Sequence, residues 1–332
     1  MRKQLVVAAV LTALLPVACQ SGGGSGQGGQ ADYPSHPISL IVPFEPGASA
    51  DVAARMWASY ARTKLGTSVN VVNVSGASGI TGMLQAIGAK PDGYTLLVDA
   101  STTSSALYAL RGNVPGSLDG RTYVMRLTSD PYFYFACKGQ SWTTLKQALA
   151  AIKSDPAHFA WGAGAQASNP MLAQLSLFQA AGVDVAKTRT VVFDDGNSPS
   201  LQACARGDVD FAAGSSKDVG TYQKTGRMKA LATTAAQPVK GYEDIPTTAS
   251  LGYPTANWQT WYGVSGPPKL PAAVIKAWTD AFDNVDSDPA AQQAASNIGH
   301  SWAVMDSSDF TQYVDKQYHD LQQLAKDTGL KF

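Results

Sequence analysis

The sequence repeatedly passes from an apolar run, through a short turn of small residues, into a helical pattern. VPFEPGASAD, Val42 to Asp51, does this first, closing the apolar run ISLIVPF with Pro43, Pro46 and Gly47. NVSGASG, Asn73 to Gly79, and GAGAQASNP, Gly162 to Pro170, do it again. Strands alternating with helices imply a mostly parallel sheet covered on both faces, with ligands seated at the carboxyl ends of the strands. The pattern predicts strands over 38–44, 69–74, 94–100, 132–139, 158–164, 189–195, 209–214, 228–235 and 258–267. Helices are predicted over 50–65, 79–89, 101–110, 144–153, 170–181, 199–205, 271–286 and 307–328. This is an α/β chain of two modules, and 332 residues suffice for both.

Composition narrows the function. Lys+Arg and Asp+Glu are both 25, so the basic excess of a nucleic-acid binder is missing. The N-terminus reads as an export signal, with a basic MRK followed by the apolar QLVVAAVLTALLPVA. Two readings stand: an ordinary cleaved signal, or a lipoprotein signal cut before Cys19, which would be acylated. The tether QSGGGSGQGGQ favours the second, whereas Pro16 sits where a lipobox usually has Leu. The expected organisation is signal and anchor over 1–19 and tether over 20–32. Of the three cysteines, Cys137 and Cys204 remain in the exported body, either as a disulfide or as two buried apolar residues.

The helix-opening turns offer unpaired backbone N–H groups, which suit an anion. Asp51, in the first turn of its helix, reads as a cap as readily as a ligand contact. Gly162, Gly164 and Ala167 fit G-x-G-x-x-A, and the next strand ends in Asp194 and Asp195, so a dinucleotide-binding oxidoreductase is the alternative. Against it, the Asp pair falls about 30 residues past the second glycine where about 20 is expected, and Ser168, Asn169 and Pro170 read as a helix cap and start. His36, His158, His300 and His319 share no metal spacing, and no G-x-S-x-G or H-E-x-x-H occurs. Each histidine reads as a surface or packed residue. Trp258, Trp261 and Tyr262 read as core, with Trp261 as a wall of the cleft in the functional alternative. No metal, cofactor or catalytic set is called for.

YPSHPISLIVPFEPGASADVAAR, VVNVSGASGITG, KPDGYTLLV, WGAGAQASNPMLAQLSLFQAAGVD, GRMKALATT and IPTTASLGYP together resemble the Bug family, the substrate-binding proteins of tripartite tricarboxylate transporters. The resemblance runs from about Tyr33 to the C-terminus. It implies a two-lobed, periplasmic-binding-protein-like (Venus-flytrap) fold, with lobe one over 33–132 and 258–332 and lobe two over 133–257. It implies an extracytoplasmic receptor that delivers a small carboxylate to membrane permease subunits, and the chain is expected to be a monomer that touches the membrane through its lipid anchor alone. A ligand sensor without transport is a further alternative. By position, the first-lobe seat is Phe44, Gly47, Ala48, Ser49 and Asp51, and the second-lobe seat is Gly164, Ala165, Ser168 and Asn169. Ser101, Thr102 and Asp194 would also face the cleft. Glu45, Met171, Asp194 and Asp195 depart from the family pattern. The acidic departures suggest a ligand with an amino or hydroxyl group, such as an amino acid or hydroxy acid.

Overall fold

The computed structural model describes residues 33–111 and 113–329, so the signal, Cys19 and the tether lie outside the described residues. The chain opens with β1 (Ile38–Val42), α1 (Ser49–Leu65), β2 (Val69–Asn73), α2 (Ile80–Ile87), β3 (Thr95–Ala100) and α3 (Ser105–Leu110). β1 pairs in parallel with β2 and β3. Ile38, Leu40 and Val42 join a core with Trp57 and the alanines of α1, while Ile41 points the other way, towards Met83 of α2 and Leu107 of α3. This period of two, apolar on both faces, is what a helix-covered strand requires.

β4 (Thr122–Pro131) carries the chain across, because β5 (Phe133–Ala136) already belongs to a second sheet. There follow α4 (Leu145–Ser154), β6 (Ala160–Ala163), α5 (Asn169–Ala181), β7 (Arg189–Val192), α6 (Asn197–Arg206), β8 (Phe211–Gly214), α7 (Ser216–Tyr222) and β9 (Lys229–Thr233). The chain returns through β10 (Gln259–Gly266), α8 (Ala272–Phe282), α9 (Pro289–Ile298), β11 (Ser301–Met305) and α10 (Ser307–Thr328). The first sheet has six strands in the order β11-β4-β10-β3-β1-β2, and the second has five in the order β7-β6-β8-β5-β9. Both are mixed, and each forms the centre of one lobe of the α/β fold. In the second, Tyr134, Trp161 and Phe211 bury on one face, and Phe133, Phe135 and Ala212 on the other. A disulfide joins Cys137 to Cys204 with their Cα atoms 4.7 Å apart, tying α6 to the end of β5.

The last helix serves both lobes. Phe310 and Val314 pack on Tyr123 and Trp261 by the first sheet, whereas Leu321 and Leu324 enter the core of the second. Between them the buried Gln317 accepts hydrogen bonds from Trp261 Nε1 at 2.7 Å and from the Ser105 hydroxyl. Trp261 is therefore core, edge-on to Phe310 at 5.0 Å.

The helix expected over 101–110 starts only at Ser105. Asp99, in a fully buried pair with Arg121 at 2.8 Å, also accepts from the Ala100 amide and the Thr103 hydroxyl. Those bonds hold residues 101–104 in a turn. β4, α7, α9 and β11 were not anticipated. β4 is long but carries Arg126 and Asp130, and α9 buries only Ala291 and Ala295, so neither shows a clear apolar period.

Candidate functional site

The first turn is built around Asp51. Its carboxylate accepts the Gly47 amide at 2.9 Å, the Asn73 side-chain amide at 2.9 Å and the Arg55 guanidinium at 2.9 Å. Burial pushes this carboxyl up, but the Arg55, Gly47 and Asn73 hydrogen bonds outweigh it and hold it below its usual range. Both oxygens are occupied, so Asp51 shapes the turn from beneath. Gly47 takes φ +85°, which permits the turn. Ala48 is the N-cap of α1 and makes no side-chain cap bond. The first-turn amides therefore stay available to an anion. Phe44 is half-buried, and its carbonyl accepts from Asn73 at 3.1 Å. Glu45 accepts the Ser75 hydroxyl at 2.5 Å on the surface.

The second turn leads from β6 into α5. Ser168 caps α5 without a side-chain bond, and its hydroxyl is buried with no partner. Asn197, at the start of α6, donates its amide to the Ala213 carbonyl at 3.0 Å and leaves Oδ1 buried and unpaired. A Cβ on Gly164 would lie 3.0 Å from Ser168 Oγ and 3.3 Å from the Asn197 amide nitrogen. One on Gly162 would lie 2.6 Å from Ser200 Oγ. These glycines thus admit α6 close to the turn, where a dinucleotide fingerprint would need room for a diphosphate. The Ala165 carbonyl accepts from the Ser168 amide at 2.9 Å and closes the turn.

The lobes meet at Ser101, whose hydroxyl donates to Asn169 Oδ1 at 3.3 Å. Thr102 is half-buried beside it. Asp194 and Asp195 are exposed between β7 and α6. Among the described residues no hydrogen bond or ion pair joins Asp194 to the other turn residues. No group of three or more His, Cys, Asp or Glu is placed to hold a metal ion among the described residues, and no helix there is long and apolar enough to cross a membrane.

Sequence reasoning overlooked a polar cluster beside the first turn. His300 is 4% exposed, and its Nε2 lies 2.9 Å from Ser49 Oγ. Its Nδ1 lies 3.2 Å from Asp130 Oδ1, at the end of β4. The Tyr262 ring packs beside His300, with centroids 5.3 Å apart. From the second lobe, the Lys217 chain crosses Gly299, where a Cβ would lie 2.6 Å from its Cε. Residues 49, 130, 217 and 300 are too far apart in the chain for any spacing rule to connect them.

A family model described as "Tripartite tricarboxylate transporter family receptor" matches residues 53–330. Protein BugT of Bordetella pertussis is 28% identical over 245 residues, which is 73% of this chain and 74% of that protein. A TctC solute binding protein from Polaromonas has the same fold, with a TM-score of 0.77 at 25% identity over 89% of this chain and 99% of its own. MatC of Rhodopseudomonas palustris, solved with bound malate, shares the fold with a TM-score of 0.64 at 23% identity, over 88% of this chain and 99% of its own. The chain belongs to the tripartite tricarboxylate transporter receptor family, the Bug proteins, and is a solute-binding receptor, not an enzyme.

Proposed function

We propose that this receptor closes on a small carboxylate between the turn before α1 and the turn before α5, and delivers it to the membrane subunits of a tripartite tricarboxylate transporter. The observation that carries the reading is that two helix starts, capped by Ala48 and Ser168, have no side-chain cap bond, and that Ser101 bonds Asn169 where α5 begins. Two partial positive ends converging on one cleft favour an anion. Phe44, Gly47, Ala48 and Ser49 line the first lobe, with Asp51 as their support. Gly164, Ala165, Ser168 and Asn169 line the second, with Ser101 and Thr102 alongside and Asp194 at the rim. The lobes are assigned as 33–132 with 258–332, and 133–257.

The unpaired Asn197 Oδ1 accepts a hydrogen bond that a carboxylate has no proton to supply. We therefore favour a carboxylate that also bears a hydroxyl or amino group. MatC holding malate, a hydroxy acid, agrees with that preference. The chain is read as an exported monomer anchored at Cys19. Metabolic labelling with a fatty acid, compared with Cys19→Ser, tests the anchor.

The direct test is a thermal-shift panel on the exported protein with malate, succinate, aspartate and citrate. A ligand at 100 times its Kd stabilises the fold by about 2.7 kcal/mol. Stabilisation by malate or aspartate above succinate supports the reading. No shift with any carboxylate overturns it, and tight succinate binding with weak malate binding overturns the preference for a hydroxyl.

A further inference from the structure

Ser49, His300 and Asp130 form a chain of contacts through the buried imidazole, with each member supplied by a different element. Ser49 is the exposed first residue of α1, His300 lies between α9 and β11, and Asp130 is the next-to-last residue of β4. The His300 side chain is 1% exposed. Although its Nδ1 is 3.2 Å from Asp130 Oδ1, the two are not aligned as a hydrogen bond, and neither atom has another partner.

Proton placement decides what Ser49 can do. With Asp130 ionised, Nδ1 carries the imidazole proton and Nε2 must accept from Ser49. The serine proton then points inward, lost to any ligand. With a proton on the Asp130 side, Nδ1 accepts and Nε2–H donates to Ser49 Oγ. The serine O–H is then free to face the cleft. An anion at the first-turn amides then meets a donor where it would otherwise meet oxygen lone pairs.

We propose that Asp130 and His300 are positioning residues that hold Ser49 as a hydroxyl donor to the ligand's carboxylate, so that capture requires one proton on the Asp130–His300 pair, and that Lys217 supplies the matching cation from the second lobe. This rests on the carboxylate reading above. Lys217 also helps line a cavity of about 220 Å³ with Lys240, Ser216, His300 and Ser301, so the opening beside His300 is bounded by two cations. The other titratable neighbours are Tyr262 of β10, Tyr132 at the crossover, and Asp218 of α7, whose carboxylate is engaged by the Ser215 amide and hydroxyl at 2.7 Å. Burial pushes the Asp130 carboxyl up to about 8, against the pull of Lys217. Burial also pushes the His300 imidazole down to about 4, with Lys217 acting the same way. At neutral pH the pair therefore holds its one proton on Asp130. The order hydroxyl–imidazole–carboxyl is also that of a nucleophilic relay, which the test must separate from a binding role.

The experiment is calorimetry of the full exported protein with malate and with succinate between pH 6 and pH 9.5. Wild-type affinity should be level in acid and fall as pH rises through about 8, by at most about tenfold per unit. Asp130→Asn, whose amide can stand in for the protonated acid, should bind about threefold more weakly at pH 7 and lose the pH dependence. Ser49→Ala, His300→Leu and Lys217→Met should each weaken binding about tenfold, with partial rescue by His300→Gln and Lys217→Arg. Apo protein labelled with ¹⁵N should show the His300 proton on Nε2 at pH 7, which needs no ligand and no fragile variant. A proton on Nδ1 at pH 7, or identical pH profiles in wild type and Asp130→Asn, overturns this inference and leaves the carboxylate reading intact. No heat with either acid overturns both. Burst hydrolysis of an activated ester that vanishes in Ser49→Ala overturns it in favour of a nucleophile.

Discussion

The two turns proposed to hold the ligand are built to opposite standards. In the first, one buried carboxylate, Asp51, gathers Gly47, Arg55 and Asn73, so the backbone is held before anything binds. In the second, Ser168 Oγ and Asn197 Oδ1 are buried and unpaired. A satisfied buried network rigidifies, whereas an unpaired polar atom costs free energy until a partner arrives. In the proposed cleft the first turn would thus be the fixed jaw, and the second the jaw whose buried polar atoms are left for a ligand to satisfy.

Breaking the support of the second jaw should have the largest effect. The disulfide closes a separation of 67 residues and pins α6, which carries Asn197. Replacing both cysteines by alanine should cost about 4 kcal/mol in chemical denaturation. A cost below about 1 kcal/mol would mean that α6 is held by packing alone. Asp51→Ala comes next, at about 2 kcal/mol, discounted because Arg55 is exposed, with at least tenfold weaker malate binding. The lowered Asp51 carboxyl contributes stability that is present above 3.8 and lost as pH falls through its folded value. The acid limb of the denaturation profile should accordingly be shallower in Asp51→Ala, and an unchanged limb would count against this role.

Ser168→Ala should reverse the sign. Removing an unpaired buried hydroxyl leaves stability unchanged or raises it by up to about 1 kcal/mol, while malate binding weakens about fivefold. Loss of stability on the scale of Asp51→Ala would erase the distinction between the jaws. The smallest effect is expected from Glu45→Gln, within about 0.5 kcal/mol, because its Ser75 bond lies on the surface. A tenfold affinity change in that variant would return Glu45 to the ligand.

Much of this was legible in the sequence because the turns are local objects. Gly47, Gly164 and Ser168 stand beside the strands and helices that they join, and their spacing alone marks helix starts. The role of Asp51 was half legible: its place in the first turn suggested a cap, but the reach back to Gly47 depends on Asn73 from another strand. The line from Ser49 to Asp130 was not legible. His300 lies in a link after a helix of mostly alanine and glutamine, and β4 shows no apolar period. Nor does a sequence show that Glu45 pairs with Ser75.

The strand order has a consequence for how this protein is made. β10 is the only strand joining β3 to β4 in the first sheet, among the described residues, and it begins at Gln259. Until it emerges, that sheet is two fragments. Every strand of the second sheet lies between Phe133 and Thr233, so that lobe can assemble while the rest is still being synthesised. The first lobe carries the highest contact order and finishes last. The strands that open the chain therefore wait longest for their neighbour, and the first lobe stays incomplete until β10 is made.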